Sequence, residues 1–358
     1  MDLFFGLSLL NVIAAFLVIM ISSALAVLFL IKRYQKNGRI DVPNERSMHT
    51  RAIPTGAGIV IVASLAIATL VLALHSYSIQ LLAMFIVVMV LGFIGWSDDK
   101  NHLSVSSRLL SFVLLAVLLV LGLGVVDEVK FGQGTVFALP YYVAAVFTLL
   151  GFIWFVNLYN FMDGMDGLAG VQTVIAATAF SLLFAKVVLV DDALFDALFF
   201  GRNLTILCLV LIAATLGFLL WNWSPAKIFL GDVGSLPIGG FFAMVTVIAV
   251  QQLSLSVLTC VLILGVFVFD ATYTLCARAL RGEKLIEAHS SHIYQRLSRT
   301  GLAHQTIVLI YAGVMVFFSG TAILWEWQLI SGLVTSVLTL IGVIFIQLWV
   351  RLFESKRF

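Results

Sequence analysis

Long apolar segments separated by short polar ones run along the whole 358-residue chain. Apolar runs of about 18 residues or more are long enough for an α-helix to cross the hydrocarbon core of a bilayer. Irregular backbone is unstable in that core, so helices are the predicted structure. The pattern predicts eleven spans, at about 9–31, 56–74, 79–96, 108–126, 140–157, 168–190, 203–221, 235–251, 256–277, 305–325 and 329–350.

Composition agrees with this pattern, and the placement of charge adds an orientation. Hydrophobic residues make up 62% of the chain and charged residues 11%, so we predict one all-α polytopic domain over residues 1–358. With eleven spans, only Lys130, Lys186 and Arg202 of the 20 lysines and arginines fall on the side of the N-terminus. Because basic residues collect on the cytoplasmic side, the N-terminus is predicted to be periplasmic and the C-terminus cytoplasmic.

Acidic residues gather at the predicted cytoplasmic ends of the spans. Adjacent carboxylates near a membrane are costly unless a cation or a basic group compensates them. Mg²⁺ binds one or two carboxylates together with water and phosphate oxygens, so this pattern indicates a magnesium site for a phosphorylated substrate. The alternative is that each acid caps a helix or balances a lysine at the headgroups. The residues are Asp98, Asp99, Asp163, Asp166, Asp232 and Asp270.

Two polar segments sharpen the prediction. In NLYNFMDGMDGLAG, residues 157–170, Gly164 and Gly167 are predicted to break the helix, so that amide and carboxylate groups converge at the end of the fifth span. In KIFLGDVGSLPIGG, residues 227–240, Gly231 and Gly234 flank Asp232 where the next span begins. Free backbone N–H groups at this helix start are expected to face an anion. An ordinary glycine turn is the alternative.

A late motif, HSSHIYQRL at residues 289–297, carries further candidates. The i, i+3, i+7 spacing of His289, His292 and Arg296 predicts that they share one helical face, as a sugar or phosphate contact requires. The alternative is an amphipathic interfacial helix with its bases at the headgroups. His75, His102 and His304 lie in no motif, so they are not part of the predicted site.

Four segments resemble the signatures of the polyprenyl-phosphate N-acetylhexosamine-1-phosphate transferases, glycosyltransferase family 4. They are DVPNERSMHTRAIPTGAG (41–58), GWSDD (95–99), NLYNFMDGMDGLAG and FLGDVGSL (229–236), in the family's order. The late motif, and the absence of a run of consecutive histidines, are more similar to the initiators of O-antigen, enterobacterial common antigen and teichoic acid. The peptidoglycan phospho-MurNAc-pentapeptide transferase is the alternative within the family. One departure is Ala57, which separates two glycines that are usually adjacent.

The resemblance implies transfer of an N-acetylhexosamine-1-phosphate from a UDP-sugar to undecaprenyl phosphate, with release of UMP. The expected setting is the bacterial inner membrane, at the start of a lipid-linked surface polysaccharide. Mg²⁺ is the expected cofactor, with Mn²⁺ as a second choice. Membrane lipids are expected partners, nucleic acid is not, and a homodimer is a further expectation. The predicted active-site loops are cytoplasmic, at about 32–55, 96–108, 157–168, 222–235 and 278–304.

Residue roles follow from the same resemblance. Asp232 is the expected Mg²⁺ ligand with Asp99 in support, and Asp98 is expected to orient or deprotonate the lipid phosphate. Nucleotide recognition is expected from Asn160, Asp163 and Asp166, with Phe229 stacked on uracil, although a phenylalanine beside a membrane is usually a packing contact. Phosphate and sugar contacts are expected from Arg46, His49, Arg51, His289, His292 and Arg296.

A lipid or ion transporter is the competing class, because many spans with acidic residues also mark ion paths. Transporters hold such groups near the bilayer midplane, at broken helices. The acids of this chain fall mostly at the predicted cytoplasmic ends, which favours chemistry on a lipid headgroup.

Overall fold

The computed structural model describes residues 8–37, 40–43, 48, 51–131, 136–189, 194–284 and 289–355, and it confirms the predicted all-α polytopic fold. The helices of these residues are α1 (Leu9–Asn37), α2 (Gly58–Ser76), α3 (Ile79–Asn101), α4 (Val105–Leu123), α5 (Tyr141–Phe161), α6 (Leu168–Leu189), α7 (Phe195–Asn222), α8 (Asp232–Leu253), α9 (Val257–Ile263), α10 (Gly265–Leu280), α11 (Ile293–Arg299), α12 (His304–Glu326) and α13 (Gly332–Ser355). The strands are β1 (Ile40–Asp41), β2 (Ile53–Pro54), β3 (Glu128–Lys130) and β4 (Val136–Ala138).

Within these ranges, ten helices are long and apolar enough to cross a membrane, or eleven if α9 and α10 count as one span. This agrees with the eleven apolar runs of the sequence. The side of the membrane on which each terminus lies stays a prediction. Helix α7 starts earlier than predicted, at Phe195, because the polar side chain of Asn203 donates to the carbonyl of Phe199 inside the helix (2.8 Å) and does not interrupt it.

The ninth predicted span, 256–277, is not one straight helix. Helices α9 and α10 meet at Leu264 with a bend of 84°. The break frees backbone carbonyls, and Gln172 of α6 donates its amide to the carbonyl of Ile263 (3.3 Å). Gly265 begins α10, where the ring of Phe318 occupies the space that a side chain at residue 265 would need. Hydropathy missed this break because both halves are apolar.

Helix α8 is the centre of the bundle and is buried along its length. Helices α2, α3 and α5 pack around it. Two glycines permit the closest approaches, since an added Cβ at Gly58 would overlap Gly234, and one at Gly95 would overlap the backbone of Asp232. A helix surrounded on all sides is expected to be apolar all round. These contacts hold the ends of α2 and α3 against the first turn of α8.

A backbone pairing joins the segment before α2 to the segment before α8. Strands β1 and β2 pair antiparallel, and Thr55 then forms a parallel bridge with Phe229. The N–H groups of Gly56 and Ala57 both donate to the carbonyl of Phe229 (3.1 and 3.0 Å). Gly56 has a φ of +98°, and Ala57 has ordinary helical angles. The extra alanine of the motif is therefore accommodated without strain, because each glycine lies where one is needed. A second ribbon, β3–β4, connects α4 to α5.

Candidate active site

Polar residues from four helix ends meet around the first turn of α8. Asp98 and Asp99 lie in the last turn of α3, and Asn160 lies in the last turn of α5. Asp232 is the first residue of α8, and Arg108 lies in the first turn of α4. The structure therefore brings together the three carboxylates that the sequence predicted as catalytic.

Asp99 caps the start of α8. Its Oδ1 accepts the N–H of Asp232 (2.9 Å) and its Oδ2 accepts the N–H of Val233 (3.2 Å). The next two amides of the helix donate to the carbonyl of Gly231 (2.9 and 3.0 Å). The prediction that free amides here face an anion is therefore wrong. A carboxylate of the protein already fills the position that the helix dipole favours for a negative charge.

Arg108 is the basic residue of this group and was not among the predicted site residues. Its Nη1 donates to Asp98 Oδ2 (2.6 Å) and lies 3.7 Å from Asp232 Oδ2. Asp98 is 6% exposed, and its Oδ1 accepts the N–H of Leu103 (2.7 Å). Arg108 Nε is buried and has no hydrogen-bond partner among the described residues. The available signal was its position, because a cation in the first turn of a helix opposes the dipole and needs an acidic partner.

Asn160 is turned toward Asp232. Its Nδ2 donates to Asp232 Oδ1 (2.6 Å) and to Ser235 Oγ (3.1 Å), so the amide holds the carboxylate in one orientation. The nucleotide contact predicted for Asn160 stays a prediction. Asn157 does not join the group, because its amide donates to a carbonyl of its own helix (2.7 Å).

Asp163 lies in the loop of residues 162–167, between α5 and α6, close to the same carboxylates. Burial, and then the charges of Asp232 and Asp99, raise the pKa of Asp163 well above its usual range. Carboxylates that repel each other favour a cation between them. In the described part of the chain, no three His, Cys, Asp or Glu side chains are placed to hold a metal ion together. Mg²⁺ needs only one or two carboxylates beside water and phosphate oxygens, and its binding here stays a prediction.

The same loop is held from its other side by residues that the sequence did not indicate. Asp166 Oδ2 accepts the N–H of Ala226 (3.1 Å) and lies 3.5 Å from His304 Nδ1. Gly167 donates its N–H to Asn222 Oδ1 (2.9 Å). Burial raises the pKa of Asp166, but the hydrogen bonds from His304 and Ala226 lower it by more, so the net pKa is below the usual range. His304 thus lies at the predicted site after all, because α12 begins beside this loop.

Of the four candidates in the segments before α2 and α8, two lie within the described residues, namely Phe229 and Arg51. Phe229 is half-buried, and its backbone pairs with the segment before α2. Arg51 is exposed in that segment, just before β2. Arg46 and His49 lie outside the described residues. The uracil contact predicted for Phe229 and the phosphate contacts predicted for Arg46, His49 and Arg51 stay predictions.

The late motif does not form the predicted helical face. Helix α11 begins at Ile293, so His289 and His292 precede it, with His292 as the N-cap. Arg296 turns away to Glu354 of α13, with Nε–Oε1 and Nη2–Oε2 distances of 2.8 and 2.7 Å. Its guanidinium is thus engaged by a carboxylate, a contact that the spacing could not reveal because the partners are 58 residues apart.

The two histidines nevertheless lie near the end of α5. The ring centroid of His292 is 6.0 Å from that of Phe161, and 5.0 Å from that of His289. Burial, then the neighbouring charges of His292 and Arg278, lower the pKa of His289 to about 4. The ring of His289 is therefore neutral at pH 7, which suits a hydrogen-bonding role better than charge pairing with phosphate.

Carboxylates, an arginine and an asparagine thus lie together at one set of ends of a bundle of membrane-spanning helices, an arrangement that suits an integral membrane enzyme. Residues 81–250, which include the group around Asp232, match the sequence profile of glycosyl transferase family 4. The phospho-N-acetylmuramoyl-pentapeptide-transferase of Bacillus mycoides (strain KBAB4) is 31% identical over 277 residues, which are 72% of this chain and 78% of that protein. The chain therefore belongs to glycosyl transferase family 4, as the sequence motifs predicted.

Other relatives cover more of the chain. A protein named "probable undecaprenyl-phosphate N-acetylglucosaminyl 1-phosphate transferase" from Bacillus subtilis (strain 168) is 28% identical over 326 residues, which are 87% of this chain and 84% of that protein. The phospho-N-acetylmuramoyl-pentapeptide-transferase of Halalkalibacterium halodurans is 28% identical over 339 residues, 89% of this chain and 97% of that protein. The two names describe different sugar donors at equal identity.

Proposed function

We propose that this protein transfers an N-acetylhexosamine-1-phosphate from a UDP-sugar to undecaprenyl phosphate and releases UMP. The observation that carries the proposal is the contact of Arg108 with both Asp98 and Asp232 at the start of α8. It places a cation between carboxylates at the end of a membrane bundle, where a lipid phosphate and a soluble nucleotide could meet. Family membership and the names of the relatives support the same reaction.

The proposed reaction joins two anions. An oxygen of the lipid phosphate attacks the β-phosphorus of the UDP-sugar, the bond from that phosphorus to the bridging oxygen breaks, and UMP leaves with the bridging oxygen. Positive groups must offset this charge while the site holds an in-line approach. A phosphate monoester with a second pKa of about 6 is mostly dianionic at neutral pH, so orientation matters more than a strong base.

Each residue of the site has its own proposed role in this reaction. Arg108, held by Asp98, offsets phosphate charge. Asp232, oriented by Asn160, is the proposed Mg²⁺ ligand, and Asp99 fixes the helix start on which Asp232 stands. When bound, Mg²⁺ would neutralise charge on the diphosphate as a Lewis acid. Asp98 then orients the attacking phosphate through Arg108, and direct attack is the proposed course.

For the donor we propose UDP-N-acetylglucosamine, with synthesis of a lipid-linked surface polysaccharide at the bacterial inner membrane as the setting. The late motif supports this choice, since HSSH separates its two histidines by two serines where the peptidoglycan enzymes carry consecutive histidines. A peptidoglycan-type donor is the second candidate, because relatives named for that activity are as similar. Transport has less support. Asp270, the aspartate inside the broken span, is fully engaged by protein donors.

The test is an assay of the purified full chain in lipid nanodiscs with undecaprenyl phosphate and Mg²⁺. UDP-N-acetylglucosamine, UDP-N-acetylgalactosamine and UDP-MurNAc-pentapeptide are supplied separately, and UMP and the lipid product are measured by mass spectrometry. UMP release with UDP-N-acetylglucosamine supports the proposal. Release only with the pentapeptide donor would assign the second candidate, and release only with UDP-N-acetylgalactosamine would replace the proposed sugar. No release with any of the three donors would contradict the proposal for these donors.

A further inference from the structure

Asp270 of α10 is a buried carboxylate outside the group around Asp232, and it is 1% exposed. Both of its oxygens accept from five donors in all, and three of these donors belong to the late motif. Oδ1 accepts from His292 Nδ1 (3.2 Å), the N–H of Ile293 (2.9 Å) and Thr274 Oγ1 (3.3 Å), and Oδ2 accepts from the N–H of Tyr294 (3.2 Å) and the hydroxyl of Tyr311 (2.8 Å).

The first consequence concerns the ring of His292. In a neutral imidazole one nitrogen carries the proton and the other accepts, and the partner of one nitrogen decides the tautomer. The other four partners of Asp270 all donate to it, so its oxygens act as acceptors, and the Nδ1 that faces Oδ1 is the ring nitrogen that carries the proton. Nε2 is then left as an acceptor. The same logic orients histidines through carboxylates in metal sites, where such partners are functionally important.

The second consequence concerns the loop of Asp163. The Tyr294 hydroxyl donates to the carbonyl of Phe161 (2.9 Å) and lies where an added Cβ at Gly164 would be. Asp163 stands between those two residues in the chain. The backbone N–H that places Tyr294 is one of the two amides that Asp270 holds. Asp270 is therefore connected, through Tyr294, to the loop that carries Asp163.

We propose that Asp270 is a positioning residue for the transfer reaction, and its kinetic part rests on the proposed function. It sets the His292 tautomer so that Nε2 accepts a hydrogen bond from the sugar nucleotide, and it seats Tyr294 so that the Asp163 loop keeps its conformation. A merely structural anchor would hold α11 to α10 and leave both the tautomer and the nucleotide kinetics unaffected. The two roles therefore differ in measurable ways.

The tautomer is read directly by ¹⁵N NMR of histidine-labelled full chain in nanodiscs, with His292→Gln assigning the signal. At pH 8 the wild type should show His292 protonated at Nδ1 only. A signal from the Nε2-protonated tautomer would overturn the proposal. This measurement needs no substrate, so it gives an answer even if the proposed transfer activity fails.

Kinetics and hydrogen exchange test the rest. Asp270→Asn offers one acceptor oxygen where five donors need two, so kcat/KM for the UDP-sugar should fall about 10–100-fold, as for other residues that orient a ligand-binding histidine. The KM for undecaprenyl phosphate should stay within about threefold. Amides of residues 162–167 should exchange faster. The control is Tyr311→Phe. It removes one donor to Asp270 and leaves the carboxyl group and its contact to His292 in place, so it should leave the UDP-sugar kinetics within about threefold.

Tyr294→Phe keeps the test valid if Asp270→Asn does not fold. It removes only the hydroxyl bond to the Phe161 carbonyl, and it should raise exchange in residues 162–167 and lower kcat/KM for the UDP-sugar. Unchanged exchange in this variant would overturn the loop part of the proposal. If Asp270→Asn folds, equal losses for both substrates, or losses no larger than those of Tyr311→Phe, would reduce Asp270 to a structural anchor.

Discussion

Asp99 accepts a hydrogen bond from the backbone N–H of Asp232 at 2.9 Å. The last turn of α3 is thereby joined to the first residue of α8, and the close approach at Gly95 keeps the two backbones in contact. The orientation of Asp232 thus depends on a carboxylate 133 positions earlier in the chain. Structural and chemical roles therefore coincide in Asp99.

Replacing Asp99 with alanine should affect both stability and turnover. The variant leaves the first two amides of α8 without their acceptor, which should cost about 1–2 kcal/mol, as for loss of a helix cap. Turnover should fall much further, because Asp232 loses its support. Ser78→Ala is the matched control, since it removes the side-chain cap of α3 and touches nothing in the site. Thermal unfolding and UMP release would be measured for both. If Asp99→Ala lost no more activity than the control, Asp99 would be a cap only.

Arg108→Lys should lower UMP release strongly even though charge is kept. Arg108 contacts both carboxylates through Nη1, and a lysine ammonium lacks the planar guanidinium fork that binds two phosphate oxygens at once. The expected result is a fall in kcat with little change in thermal stability. Lys100→Ala is the control, because Lys100 lies over the Trp96 ring on the same side of the molecule. Normal kcat in Arg108→Lys would remove Arg108 from the proposed reaction.

Asp163→Asn should stabilise the metal-free protein while it abolishes turnover. The folded-state pKa of Asp163 is raised, so its ionisation costs stability as pH rises above about 3.9, the unfolded value. The amide removes that cost at neutral pH. The melting temperature in a chelator at pH 7 should therefore rise, and Mg²⁺ should raise it less than it does in the wild type. A lower melting temperature in the chelator would contradict the charge repulsion assigned to Asp163.

Asp166→Asn should destabilise the protein, although Asp166 lies in the same loop as Asp163. The folded-state pKa of Asp166 is lowered, so its carboxylate contributes stability that is present above about pH 3.9 and is lost as pH falls through the folded value. The variant should melt at a lower temperature than the wild type at pH 7, and the difference should shrink on acidification. His304→Gln should reproduce part of the loss. A difference that is independent of pH would exclude the ionised carboxylate as its cause.

Gln172→Leu tests the broken span. Leucine is similar in volume to glutamine but removes the donor to the Ile263 carbonyl. Leaving that buried carbonyl without a hydrogen bond should cost about 1–3 kcal/mol. The variant should unfold at a lower temperature, and the amides next to the break should exchange faster. Thr178→Val, on an exposed face of the same helix, is the control. Equal stability of the two variants would show that the break does not depend on Gln172.

The sequence predicted the features that follow from local composition. The number of spans was predictable because each apolar run is long enough to cross a bilayer, and the grouping of Asp98, Asp99 and Asp232 was predictable because each lies at a span end. The 84° bend was not, since hydropathy is the same on both sides of Leu264. The helical face predicted for His289, His292 and Arg296 was wrong for a related reason. Periodicity does not show where a helix begins.

Contacts between distant segments were also beyond prediction. The pairing of Asp166 with His304 and that of Arg296 with Glu354 are set by how α12 and α13 pack on the rest of the bundle. Spacing along the chain carries no information on such packing. Arg108 was not predicted either, although a basic residue in the first turn of a helix was a signal that it needs an acidic partner.

The most direct test of the central claim is Mg²⁺-dependent UMP release by the wild type and by Asp232→Asn, side by side in nanodiscs with undecaprenyl phosphate and UDP-N-acetylglucosamine. The account predicts release by the wild type that stops when the metal is chelated, and no release by the variant, which stays folded in chelator and melts no lower than the wild type because it loses a charge that repels Asp163. An amide keeps the shape of the side chain and loses the charge that holds Mg²⁺. Substantial Mg²⁺-dependent release by Asp232→Asn would contradict the account.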